Sequence, residues 1–291
     1  MKFSVVIPTY NRANFIEKTI NSILQQSYQN FEVLVIDDGS TDNTQEIVEK
    51  INDKRLFYFK KENAERGAAR NYGAKKASGD FINFFDSDDL AYDNHLQTAL
   101  ETIETHTETS VFHLGFDIKT PDGKQGRKPS KIENINYQLI NGNLLSCNGV
   151  FIKKEIAIKN PFSEIRKLSA SEDYLLWLQL ASQYTITNNN KVTSTIIDHD
   201  ERSVLSINKE ALISRKELML EMALSDSRVN KFYAKRIKSL TVNTYSYVAL
   251  HLIMGQEKRE GLKFLLKTLK TDITFIGTKR FLAIIKQILI A

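Results

Sequence analysis

The chain has 291 residues, 42% of them apolar and 10% aromatic, which is ample material for a packed core and excludes wholesale disorder. A single cysteine, Cys147, excludes an intrachain disulfide and a cysteine-based zinc site and fits a reducing cytoplasm; four prolines and 12 glycines exclude fibrous and low-complexity classes. The net charge of +5 is unevenly spread: residues 206–291 hold 16 Lys and Arg against 7 Asp and Glu, a surplus of +9, which leaves residues 1–205 at −4. No run of about 18 apolar residues predicts a membrane span, and strand-like sequence from Phe3 onward predicts no secretion signal.

In chain order, Ser4-Val-Val-Ile7 is a continuous apolar run of strand length that ends at Pro8. Residues 14–26 place Phe15/Ile16, Thr19/Ile20 and Ile23/Leu24 on one helical stripe. Phe31–Ile36 predicts a second strand, closed by Asp37-Asp38-Gly39-Ser40, with Thr41 or Asp42 capping the next helix. A third strand is expected at residues 55–59, a helix at 67–77, and a fourth strand at 81–85 that runs into Asp86-Ser87-Asp88-Asp89. Pro121-Asp-Gly-Lys124 predicts a turn between two strands, residues 148–152 a further strand, and 171–182 a helix. Beyond residue 206 the pattern is helical, over 211–223, 229–254 and 261–268, and ends in the apolar run 281–291.

Strands apolar on both faces and separated by helices predict an α/β fold with a doubly wound, mainly parallel sheet. The expected organisation is a first half over residues 1–110, a second half of the same domain over 111–205, and a basic helical region over 206–291. In such sheets ligands bind beyond the carboxyl ends of the strands, so Pro8–Arg12, Asp37–Asp42 and Asp86–Asp89 are expected to converge on one crevice.

The residue types at those strand ends point to a phosphorylated ligand. Asp86 and Asp88, at i and i+2, are hard oxygen ligands suited to Mg2+ or Mn2+ held together with substrate phosphates. A carboxylate at Asp37 or Asp38 can accept from a nucleotide base or a ribose hydroxyl, whereas Ser40, Thr41 and Asp42 read as loop and helix cap. In Pro8-Thr-Tyr-Asn-Arg12, a stiff turn carries an aromatic face and a guanidinium; Tyr10 fits a stacking platform and core packing equally well. Arg66 and Arg70, where Gly67 opens a helix, fit phosphate contacts or a solvated face. No Gly-x-Gly-x-x-Gly follows the first strand and no Walker lysine is present, which counts against a nicotinamide dehydrogenase and a P-loop NTPase.

These blocks carry a family resemblance. Val5-Val-Ile-Pro-Thr-Tyr-Asn-Arg12, Val35-Ile-Asp-Asp-Gly-Ser-Thr-Asp42, Gly67-Ala-Ala-Arg-Asn-Tyr-Gly73 and Ala77-Ser-Gly-Asp-Phe-Ile-Asn-Phe-Phe-Asp-Ser-Asp-Asp89 resemble, in order, four blocks of family 2 glycosyltransferases. Ser171-Glu-Asp-Tyr174, followed by Trp177, resembles that family's later acidic motif. The resemblance implies the GT-A fold and a nucleotide-diphosphate sugar donor, commonly a uridine diphosphate sugar. With the side chains read above, the expected donor-nucleotide set is Pro8, Thr9, Tyr10, Arg12, Asp38, Arg70, Asp86 and Ser87, and the metal set, for Mn2+ or Mg2+, is Asp86, Asp88 and His199. Asp173 is implied as the catalytic base, with Glu172 its rival; adjacent helical residues project in different directions, so only one of the two is expected to reach the acceptor.

The implied activity is an inverting, metal-dependent transfer to a glycan or lipid-linked acceptor in polysaccharide or surface glycan assembly. The alternatives are a sugar nucleotidyltransferase, which would carry a glycine-rich basic loop after its first strand, and a non-catalytic nucleotide-sugar-binding module, which has no need of a base. Residues 111–205 are expected to build the acceptor side. The basic tail and its apolar end suit peripheral contact with the inner face of the cell membrane; packing against the core or a second copy of the chain is the alternative. Nucleic acid is not an expected partner, because no aromatic-basic recognition motif accompanies the tail charge.

Overall fold

Strands with apolar side chains on both faces need cover on both, and the first two have it. In the computed structural model, which describes residues 1–126, 131–199 and 209–290, β1 (Phe3–Thr9) and β2 (Phe31–Asp37) are buried throughout, with α1 (Ile16–Leu24) between them. There follow α2 (Thr44–Glu49), β3 (Leu56–Lys60), α3 (Glu65–Lys76), β4 (Phe81–Phe84), β5 (Leu90–Ala91) and α4 (His95–Thr105). The second half adds β6 (Val111–Lys119), α5 (Ile135–Gln138), β7 (Val150–Lys153), α6 (Lys154–Lys159), α7 (Glu172–Ala181) and β8 (Ile186–Ile197).

The eight strands form one sheet in the order β3-β2-β1-β4-β7-β6-β8-β5. β1 pairs parallel with β2 and β4, and β2 with β3, while β7 runs antiparallel to both β4 and β6. The period-2 alternation of a strand sorts the side chains: Val5 and Ile7 of β1 join Val33 and Val35 of β2 on one face, and Val6 joins Leu34 and Ile36 on the other. α1 and α4 cover the first face through Ile16, Ile20, Leu96 and Ala99; α3 and α7 cover the second. α3 can lie close because Gly73 faces Val6; a Cβ there would stand 2.3 Å from Val6 Cγ1.

The turn at residues 121–124 forms as expected, with Gly123 at φ 80° and its N–H donating to Thr120 O. Past the turn, the described residues form a single bridge from Lys119 to Gln125 rather than a strand.

The tail forms α8 (Lys209–Ser225), α9 (Ser227–Tyr233), α10 (Ile237–Met254), α11 (Lys258–Thr271) and α12 (Lys279–Ile290). The helix expected over 229–254 is therefore two helices. Val229 and Tyr233 of α9 belong to the core under the sheet, with the Tyr233 hydroxyl donating to Asn136 O; α10 adds Leu240, near its start, to that same core and places Val248, Ala249 and Leu252 in a separate core with Leu212, Phe264, Phe275 and Ile284. Among the described residues no helix is long and apolar enough to cross a membrane.

Candidate active site

The carboxyl ends of β1, β2 and β4 open on a cavity of about 340 Å3. Pro8, Thr9, Tyr10 and Arg12 line it from the end of β1, Asp38 from the end of β2, Arg70 from α3, and Asp86, Ser87 and Asp88 from the end of β4. The structure thus brings the whole expected donor set to one wall. Tyr10 is 47% exposed, which removes it from the core and leaves its ring at the cavity.

Local chemistry shapes this wall. Asn11 takes φ 51°, a left-handed conformation that Asn tolerates, and its Oδ1 accepts the Thr41 N–H at 2.8 Å; its own N–H donates to Ser40 Oγ at 2.9 Å. The loops after β1 and β2 are thereby tied together. The two adjacent acids then divide. Asp37 is fully buried and accepts from Ser40 N at 2.6 Å and the Tyr58 hydroxyl at 2.5 Å, a structural role. Asp38 turns to the cavity, with its Oδ1 accepting from Lys61 Nζ at 2.6 Å and Ala64 N at 3.0 Å.

Arg70 is the pivot of the site. Its side chain is 2% exposed; Nη1 donates to Glu172 Oε1 at 2.7 Å and Nη2 to Asp86 Oδ1 at 2.8 Å. Asp88 Oδ2 lies 3.4 Å from Arg12 Nε and 3.3 Å from His199 Nε2. The His199 ring stacks on Phe15 at 4.4 Å, and its buried Nδ1 has no partner among the described residues. Asp89 is buried and holds Asn148 Nδ2 and Ile197 N; burial, then the charges of Asp88 and Asp86, push its pKa well above the carboxylate range. Asn148 Oδ1 accepts the Asp86 N–H at 2.8 Å, so one amide fixes the loop that carries both outward acids. Among the described residues no three His, Cys, Asp or Glu close into a metal cage: Asp88 and His199 meet, while Asp86 is turned to Arg70.

A second cavity, of about 540 Å3, shares Arg66, Arg70 and Asp86 with the first. Asp173 stands on its wall, accepting from Asn143 Nδ2 at 2.8 Å through Oδ2 and from Tyr174 N at 2.7 Å through Oδ1. Burial and the neighbouring Glu172 charge raise its pKa above the ordinary 3.8. Glu172, by contrast, is 2% exposed and committed to Arg70 and to Ser171 N. The residue before this motif, Ala170, takes φ 66°, a conformation costly for alanine and of the kind that clusters at functional sites.

Several residues of this region lay beyond sequence reasoning. Glu172 was legible only as an acidic neighbour of Asp173, and Asn148 carried no signal at all. Lys216 of α8, Tyr247 of α10 and Arg280 of α12 also line the second cavity, where the sequence shows only a basic tail.

The sequence model described as Glycosyl transferase family 2 matches residues 4–158. An uncharacterized glycosyltransferase of Rickettsia conorii is 31% identical over 294 residues, covering 94% of this chain and 44% of that protein. The chain spans less than half the length of the three Rickettsia proteins it matches in this way. The Escherichia coli UDP-Glc:alpha-D-GlcNAc-diphosphoundecaprenol beta-1,3-glucosyltransferase WfgD is 32% identical over 188 residues, 64% of this chain and 72% of that enzyme. Among solved structures, S. aureus TarS 1-349 in complex with UDP-GlcNAc matches with a TM-score of 0.65 at 22% identity, over 93% of this chain and 89% of that one. The mannosyltransferase PcManGT from Pyrobaculum calidifontis, in complex with GDP-Man and Mn2+, matches with a TM-score of 0.62 at 16% identity, over 99% of this chain and 86% of that one. These likenesses establish the fold as GT-A.

Proposed function

Because the chain belongs to glycosyl transferase family 2, we propose that it moves a hexose from a uridine diphosphate sugar to a hydroxyl of a glycan or lipid-linked acceptor in surface polysaccharide assembly, with inversion at the anomeric carbon. The observation that carries this is the pair of cavities meeting at Arg66, Arg70 and Asp86: one lined by the donor set, the other by a carboxylate, Asp173, with a raised pKa. The donor and acceptor classes rest on the substrate in the name of WfgD and on the UDP-GlcNAc bound by TarS.

The displacement sets the chemistry required. A bond forms from the acceptor oxygen to the anomeric carbon, the bond to the diphosphate oxygen breaks, and its electron pair leaves with the nucleoside diphosphate. The acceptor proton goes to Asp173, whose raised pKa brings it nearer the working pH as a general base. Glu172, tied to Arg70, holds the guanidinium that braces Asp86. Arg12 and Arg70 face the region where the diphosphate would sit, and Tyr10 offers its ring to the base.

The donor chemistry suits a divalent cation: Asp88 Oδ2 and His199 Nε2, 3.3 Å apart, are a carboxylate oxygen and an imidazole nitrogen that would hold Mn2+ or Mg2+, and the buried Nδ1 of the same ring has no partner among the described residues. With Asp86 nearby, this is a partial set of the kind completed by substrate phosphates. Asp88, His199 and Asp86 would hold the ion where it would supply Lewis-acid compensation for the charge on the departing diphosphate.

Membrane contact at the cytoplasmic face is part of the proposal. Ile273, Ile276, Leu282, Leu289 and Ile290 are all exposed beside the lysines of α11 and α12. The test of the whole reading is incubation of the chain with UDP-hexoses, Mn2+ and lipid-diphosphate-linked sugars. Glycosylated acceptor and released UDP support it, and release of UDP from none of the donors refutes it.

A further inference from the structure

Elsewhere the fold gives a buried or partly buried cation an acid: Arg70, buried, has Glu172 and Asp86, and the partly buried Lys61 and Arg55 have Asp38 and Asp53. The cations of the second cavity lack such an acid. Lys216 donates to Ser171 Oγ at 2.9 Å and lies 4.8 Å over the Tyr247 ring. Arg280 donates through Nη1 to Asn243 Oδ1 at 3.0 Å and Ser246 Oγ at 3.2 Å. Arg215, 6% exposed, donates through Nη1 to Ser169 O at 3.1 Å, and its buried Nε has no hydrogen-bond partner. Among the described residues none of the three forms an ion pair with a carboxylate.

Arg215 is buried, and Lys216 and Arg280 are partly buried. Burial, with the Arg215 charge added, brings Lys216 down to about 8, and burial lowers Arg215 and Arg280. His251, stacked on Tyr247 at 3.8 Å, is lowered by burial and by all three cations, which places them in one neighbourhood. The acids in reach are Glu172, committed to Arg70, and Asp173, committed to Asn143 and Tyr174 N. Cations round a cavity with no direct ion-pair partner, and only the more distant charges of Glu172 and Asp173 to offset them, are an arrangement that an anion completes.

We propose that Lys216 and Arg280, backed by Arg215, bind a phosphate of the acceptor, so that the C-terminal helices select an acceptor carrying phosphate or diphosphate beside the sugar that is extended. This rests on the glycosyl-transfer reading and adds to it the residues that recognise the acceptor's phosphate. The donor diphosphate is not the anion concerned, since neither Lys216 nor Arg280 lines the first cavity. The placement suits an acceptor: Lys216 and Arg280 line the same cavity as Asp173, and Arg280 lies in the first turn of α12, which carries Leu282 and Leu289, 64% and 80% exposed.

Decyl diphosphate, an anion with a chain and no sugar, is the probe. It is titrated by calorimetry into the full chain, below its micelle concentration, with and without saturating UDP and Mn2+. Wild type binds it in both conditions. Lys216→Met and Arg280→Gln each weaken binding by about 10-fold or more, the scale of a lost charge-assisted hydrogen bond, and Arg280→Lys keeps most of it. UDP affinity, unchanged in every variant, reports that the fold is intact. No binding by wild type, or equal binding by wild type and both charge-loss variants, overturns the proposal. Loss of binding to phosphatidylglycerol vesicles in the variants with decyl diphosphate binding retained also overturns it, because the anion is then a membrane headgroup. If UDP fails to bind while decyl diphosphate binds in a Lys216-dependent way, the anion subsite stands and the glycosyl-transfer reading is what fails.

Discussion

Glu172 and Asp173 are adjacent acids with opposite expected responses to neutralisation. The Arg70–Glu172 pair is 2.7 Å long with side chains 2% and 3% exposed, and removing one partner of such a pair costs about 3–5 kcal/mol. Glu172→Gln is milder, because the amide oxygen can still accept from Arg70 and Asp86 still balances its charge; a loss of about 2–3 kcal/mol is expected. Asp173→Asn keeps an acceptor for Tyr174 N and needs only a flip of the Asn143 amide to restore its other hydrogen bond. It also removes a charge that burial and Glu172 disfavour, so its stability should stay within about 1 kcal/mol of wild type. Activity should run the other way, with Asp173→Asn losing about 100-fold or more and retaining donor affinity. Urea unfolding midpoints read beside initial transfer rates make the comparison. A strongly destabilised Asp173→Asn together with a stable, inactive Glu172→Gln would reverse the two roles and refute the reasoning.

The raised pKa of Asp173 has two consequences for pH. Transfer should rise with pH through the raised value as the base ionises, and a pH–rate profile that is flat across that limb contradicts the assignment. For stability, a folded pKa above the unfolded 3.8 gives a contribution fully present below 3.8 and lost as pH rises through the folded value, so wild type should weaken relative to Asp173→Asn over that window in urea titrations. Gly73→Ala sets a Cβ against Val6 Cγ1 at 2.3 Å and Ile36 Cγ1 at 3.0 Å and should cost about 1–3 kcal/mol in thermal unfolding, with partial rescue by Val6→Ala. Leu282→Glu with Leu289→Glu should abolish flotation with anionic liposomes; undiminished flotation removes the α12 face as the membrane contact.

The parts of this molecule legible in the sequence are those written in local pattern. The apolar runs of β1, β2 and β4 and the acidic or turn-forming residues after them marked both the sheet and the ends that line the first cavity. By residue type alone Asp38 could not be separated from Asp37, and only the family resemblance singled it out, because their difference lies in Tyr58 and Lys61, supplied by the neighbouring strand and the loop after it. Arg70 and Glu172 meet across 102 residues of chain, and no local periodicity encodes that. The division of residues 229–254 into two helices was hidden because the segment contains no proline or glycine before Gly255 to mark a break. Lys216 and Arg280 read as members of a basic tail, since a lysine or arginine with a long apolar stem sits as readily on a solvated face as at a cavity wall.

The central claim is that the strand-end cavity holds a nucleotide-diphosphate sugar with a divalent cation. Calorimetric titration of wild type and Asp88→Ala against a panel of nucleotide-diphosphate sugars, each with Mn2+, with Mg2+ and with chelator, tests it most directly. The account predicts binding of a uridine diphosphate sugar by wild type that weakens in chelator, and loss of that metal dependence in Asp88→Ala. Binding of no sugar nucleotide, or a metal titration identical in the two proteins, would contradict it.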